Sequence, residues 1–410
     1  MLRIRVFTTT LLLLIFSNVS IGGGFQVNLQ GTKQLGMGHC GTSLVMGSES
    51  MFFNPGAFAM ADSNSFALSA NFVIPQINYL APYPSTYTAS INKSVSTPFT
   101  FSAAVRPDSA RWNAGVAVYT PFGSGISYAD DWLGQFVLRE MSLRAIFYQP
   151  TLGFKVSDKL GIGAGYVYGS GEFYLRKGVP LQNTDGEYGE AVLQGAGQGH
   201  GFNVGVYYTP VENLNIGISY RSRVGVNVTQ GTATFDIVPY LTDSFPDSTF
   251  STKLTLPAVF NFGASYNLSE KMMLAVDLNY VGWKVYDTLS FDFAQNSEIL
   301  DDINSPRMYK NSYIVRLGLQ YAIKPNIQIR AGAYFDKSPV LDDYITPETP
   351  DSDKLGLTFG GSIQARRLQV DLALLYITGK KRTAINKETE FGGTWKATAF
   401  VPSISLGYLF

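Results

Sequence analysis

Residues 215–228, NIGISYRSRVGVNV, alternate with a period of two. The even positions Ile216, Ile218, Tyr220, Val224, Val226 and Val228 are apolar or aromatic. Between them stand Asn215, Gly217, Ser219, Arg221, Arg223 and Asn227. Successive side chains of a strand point to opposite faces, so this stretch carries one apolar face and one polar or small face. The pattern recurs. Leu368, Val370, Leu372, Leu374 and Tyr376 alternate with Gln369, Asp371 and Ala373, and over 327–335 the odd positions are apolar against Gln328, Arg330 and Gly332. A soluble sandwich alternates too, but many of these runs extend about ten residues or more, beyond the usual five or six. A tilted strand crossing a bilayer needs about nine to eleven.

The connections between runs decide the matter. Six are short and polar: 106–111, 157–159, 210–213, 268–271, 324–326 and 365–367. Seven long ones alternate with them: 79–96, 121–139, 175–197, 229–251, 294–307, 337–353 and 379–395. Together they predict an all-β, fourteen-stranded antiparallel transmembrane barrel over 65–410. All short turns lie at one end, the plan of outer-membrane barrels. Closure leaves no unpaired edge in lipid. The run 271–293 is too long to lie wholly in the bilayer, and Tyr280, Trp283 and Tyr286 near its middle are read as interface-belt residues in preference to a substrate-stacking aromatic row. The last strand puts Phe400, Ile404, Leu406, Tyr408 and Phe410 on one face. That terminal aromatic resembles the signal by which barrel assembly machinery recognises its clients, so this machinery is an expected partner.

Composition agrees. With 31 Lys+Arg against 31 Asp+Glu and no basic block, nucleic acid is excluded as a partner. One Cys excludes an intramolecular disulfide framework. Arg3 and Arg5, the apolar stretch 6–16 and the small residues of 17–24 follow the order of a secretory signal peptide, with the mature start at Gly23. The predicted location is the outer membrane of a Gram-negative bacterium, with its lipid as surroundings. Residues 23–64 are Gly-rich and apolar, with Met37, Met46, Met51, Phe52, Phe53, Phe58 and Met60, but they lack sustained alternation. They need a place to bury, and a barrel of this size leaves a channel unless something fills it. The segment is therefore read as a plug, or hatch, inside the lumen.

The chain resembles the FadL-type outer-membrane transporters of long-chain fatty acids and other hydrophobic compounds over essentially its whole mature length. The resemblance rests on Gly24-Phe25-Gln26-Val27-Asn28, Asn54-Pro55-Gly56 (Asn-Pro-Ala in the family) and Thr120-Pro121-Phe122-Gly123 with Tyr128-Ala129-Asp130-Asp131-Trp132. It continues through Leu254-Thr255-Leu256-Pro257, Tyr309-Lys310-Asn311-Ser312-Tyr313, Phe335-Asp336-Lys337-Ser338-Pro339-Val340 and Pro350-Asp351-Ser352-Asp353-Lys354. It implies capture by extracellular loops, an internal apolar site, hatch movement and lateral exit beside the third strand, in a monomer without a cofactor.

As implied substrate contacts it carries over Thr120, Phe122, Lys177 or its neighbour Arg176, and Lys310, the basic ones meeting a carboxylate; the alternative for the basic residues is interface or loop charge, the commoner fate of exposed Lys and Arg. Phe25, Phe52 and Phe53 either line the pocket or pack the plug, and Asn54, Pro55 and Gly56 position the hatch. Independently, Pro121 lacks an N–H and removes a ladder hydrogen bond, while Gly123 and Gly125 permit a kink. The alternative is that Pro121 ends its strand.

Other signals are weak. Gly161, Gly163 and Gly165 sit in an alternating strand, so they form a small-residue face rather than a nucleotide loop. Asp342, Asp343, Asp351 and Asp353 lack EF-hand spacing, and His39-Cys40 offers too few ligands for a metal. Two competing functions are a general porin, which wants an open charged lumen, and a lipid hydrolase using Ser with His200.

Overall fold

The computed structural model describes residues 23–410; the leader predicted for 1–22 lies outside them. The wall consists of β1 (Ser65–Asn71 and Ile74–Leu80), β2 (Thr88–Ser90 and Phe99–Val105), β3 (Trp112–Ser127), β4 (Glu140–Ser157), β5 (Leu160–Gln182), β6 (Tyr188–Val211) and β7 (Leu214–Arg221 and Val224–Asp236). It continues with β8 (Ser248–Leu256 and Val259–Ser269), β9 (Met272–Val281 and Thr288–Phe293), β10 (Ile303–Pro306 and Ser312–Lys324), β11 (Ile327–Asp336), β12 (Lys354–Ala365), β13 (Leu368–Gly379 and Arg382–Ile385) and β14 (Gly392–Leu409). Neighbours pair antiparallel, and β14 returns onto β1 from Ser65↔Leu409 to Asn71↔Ser403. The fourteen-stranded barrel is closed.

The outward face is a lipid surface. On β10, Tyr313, Val315, Leu317, Leu319 and Tyr321 are exposed, while Ser312, Ile314 and Arg316, of the opposite parity, are buried. Tyr313 to Tyr321 spans about 27 Å of strand, roughly 21 Å of height once tilted, close to the apolar band of an outer-membrane barrel. Aromatic residues bound the band at both ends.

All six short turns form where expected. The long connections are shorter than expected because several zip up as ladders above the membrane. The β5–β6 hairpin pairs out to Gln182↔Tyr188, and β3 runs on to Ser127. Backbone groups still need partners there, and strand pairing supplies them.

The run 271–293 is also corrected. Gly282 and a short 3-10 turn, Trp283–Val285, interrupt it. Tyr280 faces lipid at 52% exposure, but the turn swings Trp283 and Tyr286 into the lumen, where they are buried. They are not belt residues.

Alternation within 215–228 also breaks. Below Ser222 the even residues Ile218 and Tyr220 face lipid; above it Val224, Val226 and Val228 are buried inside. The pairs Arg221↔Asn203 and Asn227↔Gln198 differ in register by one residue, so a bulge at Ser222-Arg223 reverses the faces. Pro257 and Ala258 do the same on β8, where Val259 is buried below and Leu256 above. The upper lumen thereby becomes apolar.

Residues 23–64 fill the lower lumen. They form α1 (Thr32–Leu35), α2 (Ser50–Phe53), α3 (Pro55–Phe58) and connecting turns, nearly all buried. Helices this short leave most backbone groups unpaired, so inward polar side chains of the wall serve them. Asn71 on β1 donates to the Leu29 carbonyl, Asn113 on β3 to Phe58, Gln149 on β4 to Met51 and Ser219 on β7 to Phe53. On β9, Asp277 Oδ2 accepts from the Gly41 and Thr42 amides, both at 2.9 Å, and from the Thr42 hydroxyl at 2.7 Å. A segment tied to strands around the whole circumference lies inside the barrel. Wall glycines make its slots: an added Cβ at Gly163 would strike the Pro55 carbonyl, and one at Gly217 the Thr42 carbonyl. Gly161 and Gly163 of β5 thus belong to a docking face, whereas Gly165 lies against Gln149 and Thr151 of β4.

Candidate functional site

Above the plug lies an apolar cavity. Leu143 and Ala145 of β4, Phe173 and Leu175 of β5, Val226 of β7 and Leu254 of β8 contribute to its wall. Phe25 enters it from the hatch, and Tyr286, swung inward by the turn after Gly282, faces Phe25 at 5.2 Å between ring centroids. Trp283 packs against Phe25 at 4.8 Å.

The ceiling is the β11–β12 connection, whose residues 345–352 are buried. Glu348 and Thr349 line the apolar cavity and also a smaller one of about 400 Å³ lying between Ser124 and Ile126 of β3, Pro75 and Ile77 of β1 and Ala397 of β14. The Glu348 carboxylate accepts from Arg307 at 3.0 Å, and Tyr309 donates to Thr349 at 3.0 Å. Burial alone would push the Arg307 guanidinium down; the Glu348 charge and the Tyr286 and Tyr309 oxygens outweigh it and hold it well above its ordinary value.

The wall beside the smaller cavity is incompletely zipped. β2 pairs with β3 only from Thr100↔Tyr119 to Val105↔Ala114. A bulge follows at Thr120-Pro121, and beyond it β3 pairs with β4 alone among the strands. The hatch occupies that free edge. Val27 donates to the Pro121 carbonyl at 2.8 Å, Gly123 donates to the Phe25 carbonyl at 3.0 Å, and Gln26 bridges Phe122.

The residues nominated from the sequence fall in several places. Phe25 lines the cavity, and Phe122 meets it edge-on at 6.2 Å. Thr120 is buried in the bulge, its carbonyl accepting from Gln30 at 2.9 Å. Pro121 and Gly123 hold the hatch edge as described. Phe52 and Phe53 lie lower, Phe52 under the Arg221 guanidinium at 4.0 Å and Phe53 4.9 Å from the His39 ring. Asn54, Pro55 and Gly56 dock α3 to the wall.

Strand parity separates the two basic candidates on β5. Lys177 shares the inward face of Phe173 and Leu175. Arg176 is turned away and ion-paired with Asp130, Glu140 and Glu190. Lys310 is exposed and lies apart from the cavity, in an outer groove. Missed by sequence reasoning are Val226, Leu254 and Glu348, while Tyr286 takes the lumen-facing place that its second reading, an aromatic row, allowed. Val226 and Leu254 sit beyond bulges that reset the faces, and Glu348 reaches the site only because its loop folds inward.

Lower down, His39 ties the hatch to β10. Its Nε2 donates to the Gln30 carbonyl at 3.0 Å, and its Nδ1 accepts from Arg316, which can only donate. Burial and the Arg316 charge hold the imidazole well below its usual value. The docked hatch therefore takes up fewer protons at this site than a released one. Its stability is complete above about pH 6.5 and falls as pH drops below that, by about 1.4 kcal/mol per unit at most. Burial pushes Glu49 the other way, so the variant comparison isolates the histidine. At pH 5 the hatch should become protease-accessible, and His39→Gln should remove most of that acid response; the same response in both proteins would rule out the histidine.

A closed barrel with a docked internal plug and a greasy cavity above it defines a plugged outer-membrane transporter. The sequence profile of the outer membrane protein transport family (OMPP1/FadL/TodX) matches residues 13–410, and the chain belongs to that family. It is similar to the long-chain fatty acid transport protein of Salmonella typhi, at 21% identity with 94% of each chain covered. It is equally similar to the 47 kDa outer membrane protein of Pasteurella multocida, at 21% over the full length of both. Among solved structures, a Pseudomonas aeruginosa FadL homologue shares the fold with a TM-score of 0.80 at 18% identity, covering 94% of this chain and 99% of that one. The P. putida toluene transporter TodX gives 0.72 at 17%, covering 95% and 99%.

Proposed function

We propose that this protein imports small hydrophobic compounds through the apolar cavity and releases them sideways past β3, with no catalytic step. The observation that carries the reading is Phe25. One residue lines the cavity and, through its own carbonyl and the Val27 amide, covers the unpaired β3 edge. Transfer of cargo from water gains about 0.8 kcal/mol per methylene, so each buried tail segment favours the cavity over a wet pore. Displacing Phe25–Val27 would join the two cavities flanking Glu348 and open the wall towards lipid. A general porin has no use for such a seal. A hydrolase built on His200 is disfavoured, because His200 is exposed on the outer face of β6 with its ring bonded to the Tyr166 hydroxyl at 2.6 Å.

The best-fitting cargo is uncharged. Glu348 lines the cavity and repels a carboxylate, and its cation partner Arg307 is already engaged. A second reading, long-chain fatty acids, rests on Lys177, which follows Leu175 on the inward face. The protein acts as a monomer whose β14, closed onto β1, is the strand offered to the assembly machinery.

The test is a reversible lock. Gln26→Cys with Phe122→Cys, in a Cys40→Ser background, places two thiols on a bridged pair. Oxidation should cut uptake of a radiolabelled aromatic hydrocarbon at least tenfold, with recovery on reduction. Equal uptake in both redox states would reject lateral exit.

A further inference from the structure

On the wall facing away from β3, an open depression of about 1230 Å³ lies at the long-loop ends of β10, β11 and β13. Five cations line it, Lys310, Lys337, Lys380, Lys381 and Arg382, against two carboxylates, Asp342 and Asp353. Two of the five are neutralised: Lys337 by Asp353 at 2.8 Å and Arg382 by Asp342 at 2.7 Å. Lys310, Lys380 and Lys381 are exposed and, among the described residues, form no ion pair.

The backbone beneath is fixed. Lys310 donates its amide to Pro339, Lys337 to Tyr313 and Lys380 to Asp353, while Arg382 reaches the carbonyls of Val340 and Asp351, each at 2.7 Å. Three lysines without a carboxylate partner are therefore carried around one depression on a hydrogen-bonded backbone. Without a ligand they repel one another, which is a reason to expect an anion there.

Depth identifies the anion. Tyr313 also lines the depression, and it is the uppermost outward aromatic of β10, its ring tilted against Phe335 of β11 at 6.3 Å between centroids. Lys310 stands three residues beyond Tyr313, and Lys337 two beyond Phe335. The cations thus rise one step above the apolar band, where headgroups lie, next to the lipid-facing rings of Tyr313 and Phe335. The outer leaflet of a Gram-negative outer membrane carries phosphorylated glycolipids. Compact ammonium charges suit phosphate oxygens approached from several directions.

We propose that this depression binds the phosphate groups of an outer-leaflet glycolipid, whose acyl chains run down the apolar faces of β10 to β13. The site is separate from the cargo cavity and stands whether or not the import reading holds.

The test uses the full barrel purified from outer membranes in mild detergent. Phosphorylated glycolipid retained per barrel is counted by native mass spectrometry for the parent and for Lys310→Ala/Lys380→Ala/Lys381→Ala. The variant should retain at least fivefold less, and the parent's retention should fall with salt. Folding is checked by heat-dependent gel mobility, and hydrocarbon binding in the cavity should be unchanged. Equal lipid counts in the two proteins would overturn the proposal. So would displacement of purified lipid A from the parent by equimolar inorganic phosphate, since the site would then recognise the free anion alone.

Discussion

Asn54→Ala should convert the plugged barrel into a conducting one. The Asn54 side chain, fully buried, does three jobs at the junction of hatch and wall. Its Oδ1 accepts from the Gly56 amide at 2.8 Å and caps α3, while its Nδ2 donates to Thr42 within the hatch at 2.7 Å and to Val206 of β6 at 2.9 Å. Loss of a cap costs about 1 kcal/mol, and each buried acceptor left without its donor costs about 1 kcal/mol or more. The total, about 3 kcal/mol, lowers the docking equilibrium more than a hundredfold. The barrel ladder itself is untouched, so heat-dependent gel mobility should stay normal while planar bilayers show a steady current absent from the parent. Asn54→Asp keeps the cap but loses both donors, and should fall between. Parental conductance in Asn54→Ala would mean the plug is held by its other bonds, such as those to Asp277.

Strand number and closure were legible in the sequence because both follow from local chemistry. A polar turn such as 157–159 and a two-residue alternation need no distant partner to be read. The plug was legible only indirectly, since residues 23–64 have composition without periodicity and owe their shape to wall side chains such as Asn71, Asn113 and Gln149. The cavity was the least legible part. Trp283 and Tyr286 lie in a run that reads as continuous strand, and a 3-10 turn after Gly282 sends both inward. Lys310 sits in a motif that implies cargo contact, yet the strand that follows turns Tyr313 to lipid and Lys310 lies in the outer groove with it. Parity did hold the answer on β5. Phe173, Leu175 and Lys177 share a face, and Arg176 does not.

The reversal on β7 gives the sharpest comparison, because Ile218 and Val226 are both even-numbered apolar residues of one alternating stretch. Continuous alternation would put them on one face, and lysine at either would do the same harm. The bulge at Ser222-Arg223 separates them: Ile218 is 41% exposed towards lipid, and Val226 is 4% exposed in the cavity wall. Ile218→Lys places a charge in the apolar band, at a cost of about 2–4 kcal/mol near the midplane, and should lower the yield of assembled barrel. Barrels that do assemble should bind hydrocarbon as the parent does. Val226→Lys should assemble normally, because the substitution leaves the lipid face unchanged. It should weaken hydrocarbon binding a hundredfold or more, since cargo entering the cavity must strip water from an ammonium group, and the one carboxylate the site offers from its ceiling, Glu348, is already held by Arg307. Measured side by side by heat-dependent mobility and hydrocarbon binding, the two variants should fail in opposite assays. Failure of both in the assembly assay would mean that the strand keeps one face throughout, and the apolar cavity would lose its β7 wall.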